Sequence, residues 1–241
     1  MRYTVGAGTY FGIPVRIHWT FPLVLAALGA EARIAGTWAD AVRVVGLVAA
    51  VFLCVILHEF GHGLAARRYG IEVRDIVLLP IGGMARAERI PERPLEEIVV
   101  ALAGPAVNFA LAALLLVAVV LVGAPATVGA HPLSDLLVVN LVLGTFNLTP
   151  AYPMDGGRVL RALLALRLPY LRATVVARAV GQAIAQAFIV IGFVDLSFAV
   201  LPLIALFIFA GAAREEQMIR ARLAVIPPGK ALLRATPAEG G

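Results

Sequence analysis

The chain has 241 residues, of which 61% are hydrophobic and 15% are charged, whereas a soluble domain has about 45–50% apolar and about 25% charged residues. A mean hydropathy of +0.93 excludes an ordinary soluble enzyme and a disordered chain. The single cysteine excludes an internal disulfide framework and a metal site built from cysteines. A formal charge of +5 would favour nucleic-acid binding in a soluble protein. With this composition we instead predict an integral membrane protein and no nucleic-acid partner.

Six hydrophobic segments are predicted to cross the membrane, at about 20 residues for each helix. The residues before the first segment contain glycine-spaced Tyr, Val and Ile, which is typical of short strands. The first segment also resembles the apolar core of a signal peptide, although its N-terminal flank is unlike a basic n-region. The six segments are residues 17–30, 44–66, 97–123, 133–149, 175–194 and 197–213.

The distribution of basic residues predicts the orientation of these segments. With a cytoplasmic N-terminus and six crossings, eighteen of the twenty Lys and Arg residues fall on the cytoplasmic side, and only Arg33 and Arg43 fall outside. Cytoplasmic loops of membrane proteins carry such an excess of positive charge. We therefore predict a multi-pass protein of the cell membrane with both termini in the cytoplasm.

The largest predicted loop, residues 67–96, is expected to contain a strand. Apolar residues between Ile71 and Leu78 favour a strand. An Arg- and Glu-rich stretch follows Gly82 and Gly83 and is typical of a solvated connector. Together with the N-terminal strands, this loop predicts a small membrane-associated β-sheet.

The predicted fold is therefore mainly α, with about six transmembrane helices. Its sheet would come from the N-terminus and from the loop after the second helix. Residues 1–226 would form one domain, and residues 227–241, rich in Gly, Pro and Ala, would form a short flexible cytoplasmic tail.

The second segment carries the motif His58-Glu59-Phe60-Gly61-His62. His58 and His62 are four residues apart and lie on the same face of a helix. This spacing allows both imidazoles to bind one zinc ion, with the adjacent Glu59 directed at a zinc-activated water. Ionisable side chains in an apolar span are unfavourable unless they are paired or functional. The alternative, two histidines hydrogen-bonded to a neighbouring helix, does not explain the glutamate.

A catalytic zinc needs a third protein ligand and one open position. Segment four ends in Asn147-Leu-Thr-Pro150-Ala-Tyr-Pro153-Met-Asp155, where two prolines interrupt the helix. Broken backbone at membrane depth is tolerated where it is buried in protein or lines a wet cavity, so we expect Asp155 on a rigid bend. This carboxylate is the candidate third ligand. Its alternative role is an N-cap for a helix that begins near Arg158.

The predicted topology is compatible with such a three-ligand site. Segments two and four both run from outside to inside. His58 would lie about 12 Å from the inner end of its helix, and Asp155 follows the inner end of its own span. Both parts of the candidate site are therefore expected near the cytoplasmic face.

Other polar residues near these motifs have simpler interpretations. Cys54, one turn before His58, would close the site as a fourth ligand, but a small buried residue is the simpler interpretation. Asn108 and Asn140 are expected to make helix–helix hydrogen bonds. Segments five and six lack such motifs and are expected to move laterally to admit substrate.

These motifs resemble the site-2 protease family of intramembrane zinc metalloproteases (peptidase family M50). The resemblance is to the compact bacterial and archaeal branch with six spans, and we expect neither a PDZ-like insertion nor a C-terminal sensing domain. The matching motifs, in the expected order, are Gly12-Ile-Pro-Val-Arg-Ile-His-Trp19, His58-Glu-Phe-Gly-His62, Pro80-Ile-Gly-Gly-Met84, Gly104-Pro-Ala-Val-Asn108 and Asn147-x-x-Pro-x-x-Pro-x-Asp155-Gly.

The resemblance implies one zinc ion per chain, bound by His58, His62 and Asp155. It also implies that Glu59 is the general base and that Asn147 stabilises the oxyanion. Chemistry supports these roles, because zinc activates water and a glutamate can carry its proton to the leaving amine. For Asn147 an interhelical hydrogen bond is the alternative.

The substrate would have to unwind locally, and an unwound strand in lipid needs backbone partners. Addition to an exposed sheet edge supplies them, as the resemblance also implies. The stretch Ile76–Met84 is the candidate edge, and Gly82, Gly83 and Met84 are the predicted substrate-binding residues. A simple glycine turn is the alternative.

The predicted function is hydrolysis of peptide bonds within or next to transmembrane segments, for regulated proteolysis or clearance of remnant peptides. The expected partners are a transmembrane segment of a substrate protein, the lipid bilayer, and a second copy of the chain or a regulatory membrane protein. The main alternative is an ion, proton or metal transporter that uses the same polar residues, but the outer halves of the spans are nearly all aliphatic. A second alternative is an inactive protease-like scaffold that binds membrane helices. Such a scaffold should lack Glu59 or one of the metal ligands, and none of these residues is missing.

Overall fold

The computed structural model describes residues 3–80, 82–88, 91 and 93–225, and the predicted tail at 227–241 lies outside them. The strands in this part are β1 (Thr4–Tyr10), β2 (Ile13–His18), β3 (Val73–Leu79) and β4 (Gly82–Ala87). Its helices are α1 (Thr20–Ala35), α2 (Trp38–Arg68), α3 (Pro94–Val122), α4 (Pro132–Asn147), α5 (Asp155–Ala165), α6 (Tyr170–Val194) and α7 (Leu201–Val225), with a short 3-10 turn at Leu196–Phe198. The fold is mainly helical with a small sheet, as predicted.

The chain divides into two compact units. The first comprises Met1–Pro91 and Ala103–Thr145, and the second comprises Glu92–Leu102 and Phe146–Gly241. The first unit therefore holds the sheet, α1, α2, most of α3 and almost all of α4. The second holds the start of α3 together with α5, α6 and α7. A single domain over residues 1–226 stays a prediction.

The sheet combines two hairpins in the order β1-β2-β3-β4. Strands β1 and β2 are antiparallel, and their turn has positive φ at Phe11 and Gly12, as a type I′ turn requires. Strands β3 and β4 are also antiparallel, whereas β2 and β3 are parallel. Parallel strands need a long crossover, which α1 and α2 provide. Ile13 and Ile76 of the sheet pack with Phe60 of α2 in a buried core.

The prediction of a solvated connector after Gly83 is wrong for its first part. Arg86 lies in β4, and its guanidinium donates two hydrogen bonds to the Asp75 carboxylate of β3. Arg16 of β2 adds an ion pair with Asp75 at 3.2 Å. The Asp75 side chain is buried. The hydrogen bonds from Arg86, reinforced by both arginine charges, hold the pKa of Asp75 below its usual value against the effect of burial.

Three of the helices are long and apolar enough to cross a membrane, namely α2, α3 and α6. The shorter α4 is also apolar. Each of the six predicted segments overlaps a helix. The count of six crossings is not confirmed, because among the described residues only α2, α3 and α6 meet the requirements of length and hydropathy together. The apolar helices support the prediction of a membrane protein.

The second unit contains a buried charged cluster. Arg161 of α5 is fully buried, with Nε 2.9 Å from Glu97 Oε1 of α3 and Nη1 2.6 Å from Glu215 Oε1 of α7. Tyr170 of α6 donates a hydrogen bond of 3.0 Å to Glu97. The Tyr152 ring lies 5.5 Å from the guanidinium. One arginine side chain thus joins four helices, and its charge and hydrogen bonds are balanced by two buried carboxylates.

Replacing Arg161 with methionine should lower the free energy of unfolding by about 3–5 kcal/mol, because Glu97 and Glu215 would stay buried without a counter-charge. Thermal unfolding of the detergent-solubilised protein measures this change. Arg158 lies on the same helix but is exposed, so Arg158→Met is the matched control and should change stability by less than about 0.5 kcal/mol. Similar losses in the two variants would contradict the role given to the buried cluster.

Asp75 should give the sheet a defined sensitivity to acid. The pKa of Asp75 is lowered from its ordinary value of 3.8 in the folded protein. The stabilisation by Asp75 is therefore complete at a pH above the ordinary pKa, and it is lost as the pH falls through the lowered pKa of the folded protein. Asp75→Asn should therefore be less stable at neutral pH and should lose less stability on acidification. Unfolding followed from about pH 7 to about pH 3 measures both. An unchanged acid dependence in this variant would show that Asp75 does not carry the effect.

Candidate metal centre

The histidine motif lies on α2 in the first unit. The helix begins with a capping box, in which Thr37 Oγ1 accepts the Asp40 N–H and the Asp40 carboxylate accepts the Thr37 N–H. It continues through His58 and His62, whose Nε2 atoms are 3.0 Å apart and whose rings are nearly perpendicular at 85°. Two nitrogens bound to one tetrahedral zinc lie about 3.3 Å apart, given Zn–N bonds of about 2.0–2.1 Å. The two imidazoles therefore converge as ligands of one ion would.

The space beside these nitrogens exists because residue 104 has no side chain. A Cβ at Gly104 of α3 would lie 2.5 Å from His62 Cε1 and 2.7 Å from His58 Nε2. A Cβ at Gly61 of α2 would lie 2.6 Å from the Ala103 carbonyl oxygen. The two helices can approach this closely only where both carry glycine. The glycine pair thus brings α3 against the two histidines.

A chain of amide hydrogen bonds determines the tautomer of His58. Asn140 Nδ2 of α4 donates to the Leu136 carbonyl at 2.9 Å, so Asn140 Oδ1 is an acceptor, and it accepts from Asn108 Nδ2 at 3.0 Å. The other amide atom, Asn108 Oδ1, lies 2.6 Å from His58 Nδ1. An amide oxygen can only accept, so His58 Nδ1 carries the proton. Its Nε2 then keeps the lone pair that a metal ion requires.

The predicted helix–helix hydrogen bond of Asn108 and Asn140 is confirmed, but sequence reasoning missed its effect on His58. A signal existed, because Gly104 and Asn108 are four residues apart and therefore share one face of α3. Cys54 is buried, and its sulfur accepts a hydrogen bond from Asn140 Nδ2 at 3.3 Å. This agrees with the interpretation of the cysteine as a small buried residue.

Glu59 lies directly beside strand β4. Its Oε2 accepts the Ala85 N–H at 2.7 Å, and a Cβ at Gly83 would lie 2.8 Å from its Cγ. The predicted substrate-binding residues Gly82, Gly83 and Met84 all lie in β4 and pair with β3, so the alternative of a simple glycine turn is wrong. Strand β4 is the last in the strand order. The glutamate is thus adjacent to an edge strand.

Asn147 and Asp155 lie in the second unit, on either side of the interruption between α4 and α5. Asn147 is the last residue of α4 and is half-buried. Asp155 is the first residue of α5 and is 7% exposed. The N-cap is Met154, so the alternative that Asp155 is the N-cap is wrong. A carboxylate in the first turn of a helix is stabilised by the helix dipole.

The histidine motif and the three proline-containing motifs that begin at Pro80, Gly104 and Asn147 lie in the region matched by one family model. The model of peptidase family M50 matches residues 46–130 and 122–190. The chain belongs to peptidase family M50. This confirms the family predicted from the motifs.

Two curated relatives of the chain carry names that describe zinc metalloproteases. A zinc metalloprotease of Methanocaldococcus jannaschii, MJ0392, is 36% identical over 220 residues, which are 91% of this chain and 62% of that protein. The putative zinc metalloprotease Rip3 of Mycobacterium tuberculosis is 33% identical over 237 residues, which are 91% of this chain and 60% of that protein. The chain thus spans about 60% of the length of these relatives.

The fold is also similar to that of a solved structure, the site-2 protease from Methanocaldococcus jannaschii. The two have a TM-score of 0.64 and 33% sequence identity, with 89% of this chain and 95% of that chain covered. The similarity supports the predicted mainly helical fold with its small sheet.

Gly104→Ala should weaken the affinity of the protein for Zn²⁺ by at least about 10–100-fold, because the new methyl group would displace both imidazoles. Gly46 provides the matched control, since it also lies in α2 and a Cβ there would meet nothing within 4 Å. Competition with a chelator measures both affinities. Equal Zn²⁺ affinity in Gly104→Ala and Gly46→Ala would contradict the arrangement of the histidines around Gly104.

Proposed function

We propose that this family member is a zinc-dependent peptidase that cleaves polypeptides within or next to their membrane-spanning segments. The observation that carries the proposal is the convergence of His58 and His62 in an apolar helix, with His58 held by Asn108 in the metal-binding tautomer. Glu59 follows His58 in the motif and is the proposed general base. The relatives are named as zinc metalloproteases, which supports the same activity for this chain.

Asp155 is the proposed third ligand of one zinc ion per chain. Two imidazoles and one carboxylate form a donor set that suits a catalytic zinc with one open position. The fit therefore rests on the chemistry of the donors and on the tautomer of His58.

Zinc, when bound, supplies the Lewis acidity that activates a water molecule and polarises the scissile carbonyl. Glu59 takes the proton from the attacking water and delivers it to the leaving amine nitrogen. The Ala85 N–H holds one oxygen of Glu59 at 2.7 Å and so orients the carboxylate. Asn147 is proposed to donate its amide to the developing oxyanion, an effect of about 3–4 kcal/mol in other enzymes.

The proposed substrate is a transmembrane segment that unwinds and adds to the edge of β4. Gly82, Gly83 and Met84 would bind it, since backbone groups of an edge strand can pair with an extended peptide. The contact of Gly83 and Ala85 with Glu59 supports this position, because a strand added here would lie near the general base.

The protein is proposed to work as a multi-pass protein of the cell membrane with both termini in the cytoplasm. Its basic residues support this orientation, since they concentrate in the segments assigned to the cytoplasmic side. Its partners would be the bilayer and a membrane-spanning substrate, and a second copy or a regulatory membrane protein could join them. The transporter alternative receives no support from relatives that are named zinc metalloproteases.

Two substitutions separate metal binding from proton transfer. Glu59→Gln should retain about one zinc per chain but lose cleavage by about 10²–10⁴-fold, because only the proton acceptor is removed. Asp155→Ala should lose most of its zinc as well as its activity. Zinc content and cleavage are measured in detergent or vesicles, with a single-span test protein that carries Gly and Pro within its span.

Glu72 offers the control for these measurements, because it is an exposed glutamate outside the motif. Glu72→Gln should keep both zinc and cleavage. Full activity of Glu59→Gln would refute the general-base assignment, and wild-type zinc binding by Asp155→Ala would refute the three-ligand site.

A further inference from the structure

The bend that precedes Asp155 is in close contact with α7. Pro153 lies against Gly211, where a Cβ would be 2.8 Å from Pro153 Cγ and 2.8 Å from Pro153 N. Real Cβ atoms essentially never approach other atoms within 3.0 Å, so only glycine fits at this position of α7. The proline ring occupies the space that a side chain would fill. The rigid ring of Pro153, two residues before Asp155, therefore packs directly against the backbone of α7.

A second glycine, on α6, contacts the same bend. A Cβ at Gly181 would lie 3.0 Å from Ala151 Cα and 3.1 Å from Ala151 Cβ, and Ala151 is fully buried. Within the bend, a Cβ at Gly157 would lie 2.7 Å from the Ala151 carbonyl carbon, so the start of α5 folds back on the same residue. Helices α6 and α7 thus each contact the bend through a residue without a side chain.

The interior of α5 is held by the charged cluster. Arg161 is six residues after Asp155 and binds Glu97 and Glu215 in the buried interior of the second unit. The chain around Asp155 is therefore fixed at two points, by the contact of Pro153 with Gly211 before α5 and by Arg161 within α5. Neither contact involves a residue proposed to bind zinc or substrate.

We infer that α6 and α7 together set the position of the third zinc ligand, with Gly211 of α7 acting as a positioning residue for Asp155 through Pro153 and Gly181 of α6 doing so through Ala151. The inference rests on the proposed function, in which Asp155 binds zinc. A methyl group at position 211 would push Pro153 away, and the short bend would transmit this shift to Asp155. Zinc ligands tolerate little displacement, since residues that orient them change metal affinity by about 10–100-fold.

The chain contains a matched control for this substitution. Gly192 of α6 faces Pro202 of α7, and a Cβ there would lie 2.8 Å from Pro202 Cγ, the same separation as at Gly211 and Pro153. Gly192→Ala therefore introduces the same methyl group against a proline ring in the same unit, but away from the bend. A purely structural effect of such a methyl group should be similar at both positions.

The experiment compares thermal unfolding without metal and Zn²⁺ affinity by chelator competition for Gly211→Ala and Gly192→Ala. We expect both variants to unfold at a lower temperature, whereas only Gly211→Ala should bind Zn²⁺ about 10–100-fold more weakly. Equal Zn²⁺ affinities in the two variants would overturn the inference. Gly181→Ala makes the milder contacts of 3.0–3.1 Å, so it replaces Gly211→Ala if that variant does not fold, and it should weaken Zn²⁺ binding less.

Asp155→Ala, measured alongside, separates this inference from the proposed function. If Asp155→Ala binds Zn²⁺ as the wild type does, the proposed ligand set is wrong. If Asp155→Ala loses Zn²⁺ while Gly211→Ala and Gly181→Ala bind it as well as Gly192→Ala does, the ligand set stands and the positioning role of α6 and α7 is wrong.

Discussion

Every polar group in an apolar helix bundle needs a partner, and in the first unit this requirement determines the chemistry of the histidines. The Leu136 carbonyl can only accept a hydrogen bond, and this fixes the orientation of the Asn140 amide, then of Asn108, and finally the proton on His58 Nδ1. A backbone carbonyl of α4 therefore decides which nitrogen of an α2 histidine can bind metal. In a low-dielectric interior such a chain is strong because any break would leave a buried group unsatisfied.

The second requirement is that helix backbones come close to one another and to the bend, and this close approach depends on single glycines. Gly61 and Gly104 bring α2 and α3 together at the histidines, and Gly181 and Gly211 bring α6 and α7 onto the bend before Asp155. Small residues at helix contacts are common in membrane proteins because packing, and not the hydrophobic effect, drives helix association in lipid. Here the same close packing also occurs beside the proposed zinc ligands.

The parts of the fold that could be predicted are those with local signals. The spacing of His58 and His62 depends only on helix periodicity, and the interruption before Asp155 follows from its prolines, so both could be read from the chain. The predicted edge at Ile76–Met84 includes the first half of β4, but the second half is not recognisable as a strand, because Gly-Gly-Met-Ala-Arg-Ala has no β-branched residue and gains its stability from pairing with β3. The partners of Arg161 lie 54 and 64 residues away, so its burial depends on tertiary packing that no local pattern indicates.

The contacts of α6 and α7 restrict how a substrate could enter. Because these two helices lack sequence motifs, they are expected to move sideways. However, Gly181 and Gly211 pack against the bend, and Glu215 of α7 accepts a hydrogen bond from Arg161 of α5. Within the second unit, α5, α6, α7 and the bend are thus joined by contacts that a large displacement would break. A movement that separated α7 from Pro153 would release Asp155 from its support and weaken the proposed zinc site. Entry that preserves the metal therefore requires α6 and α7 to stay in contact with the bend, so that any movement carries α5 and its aspartate with them.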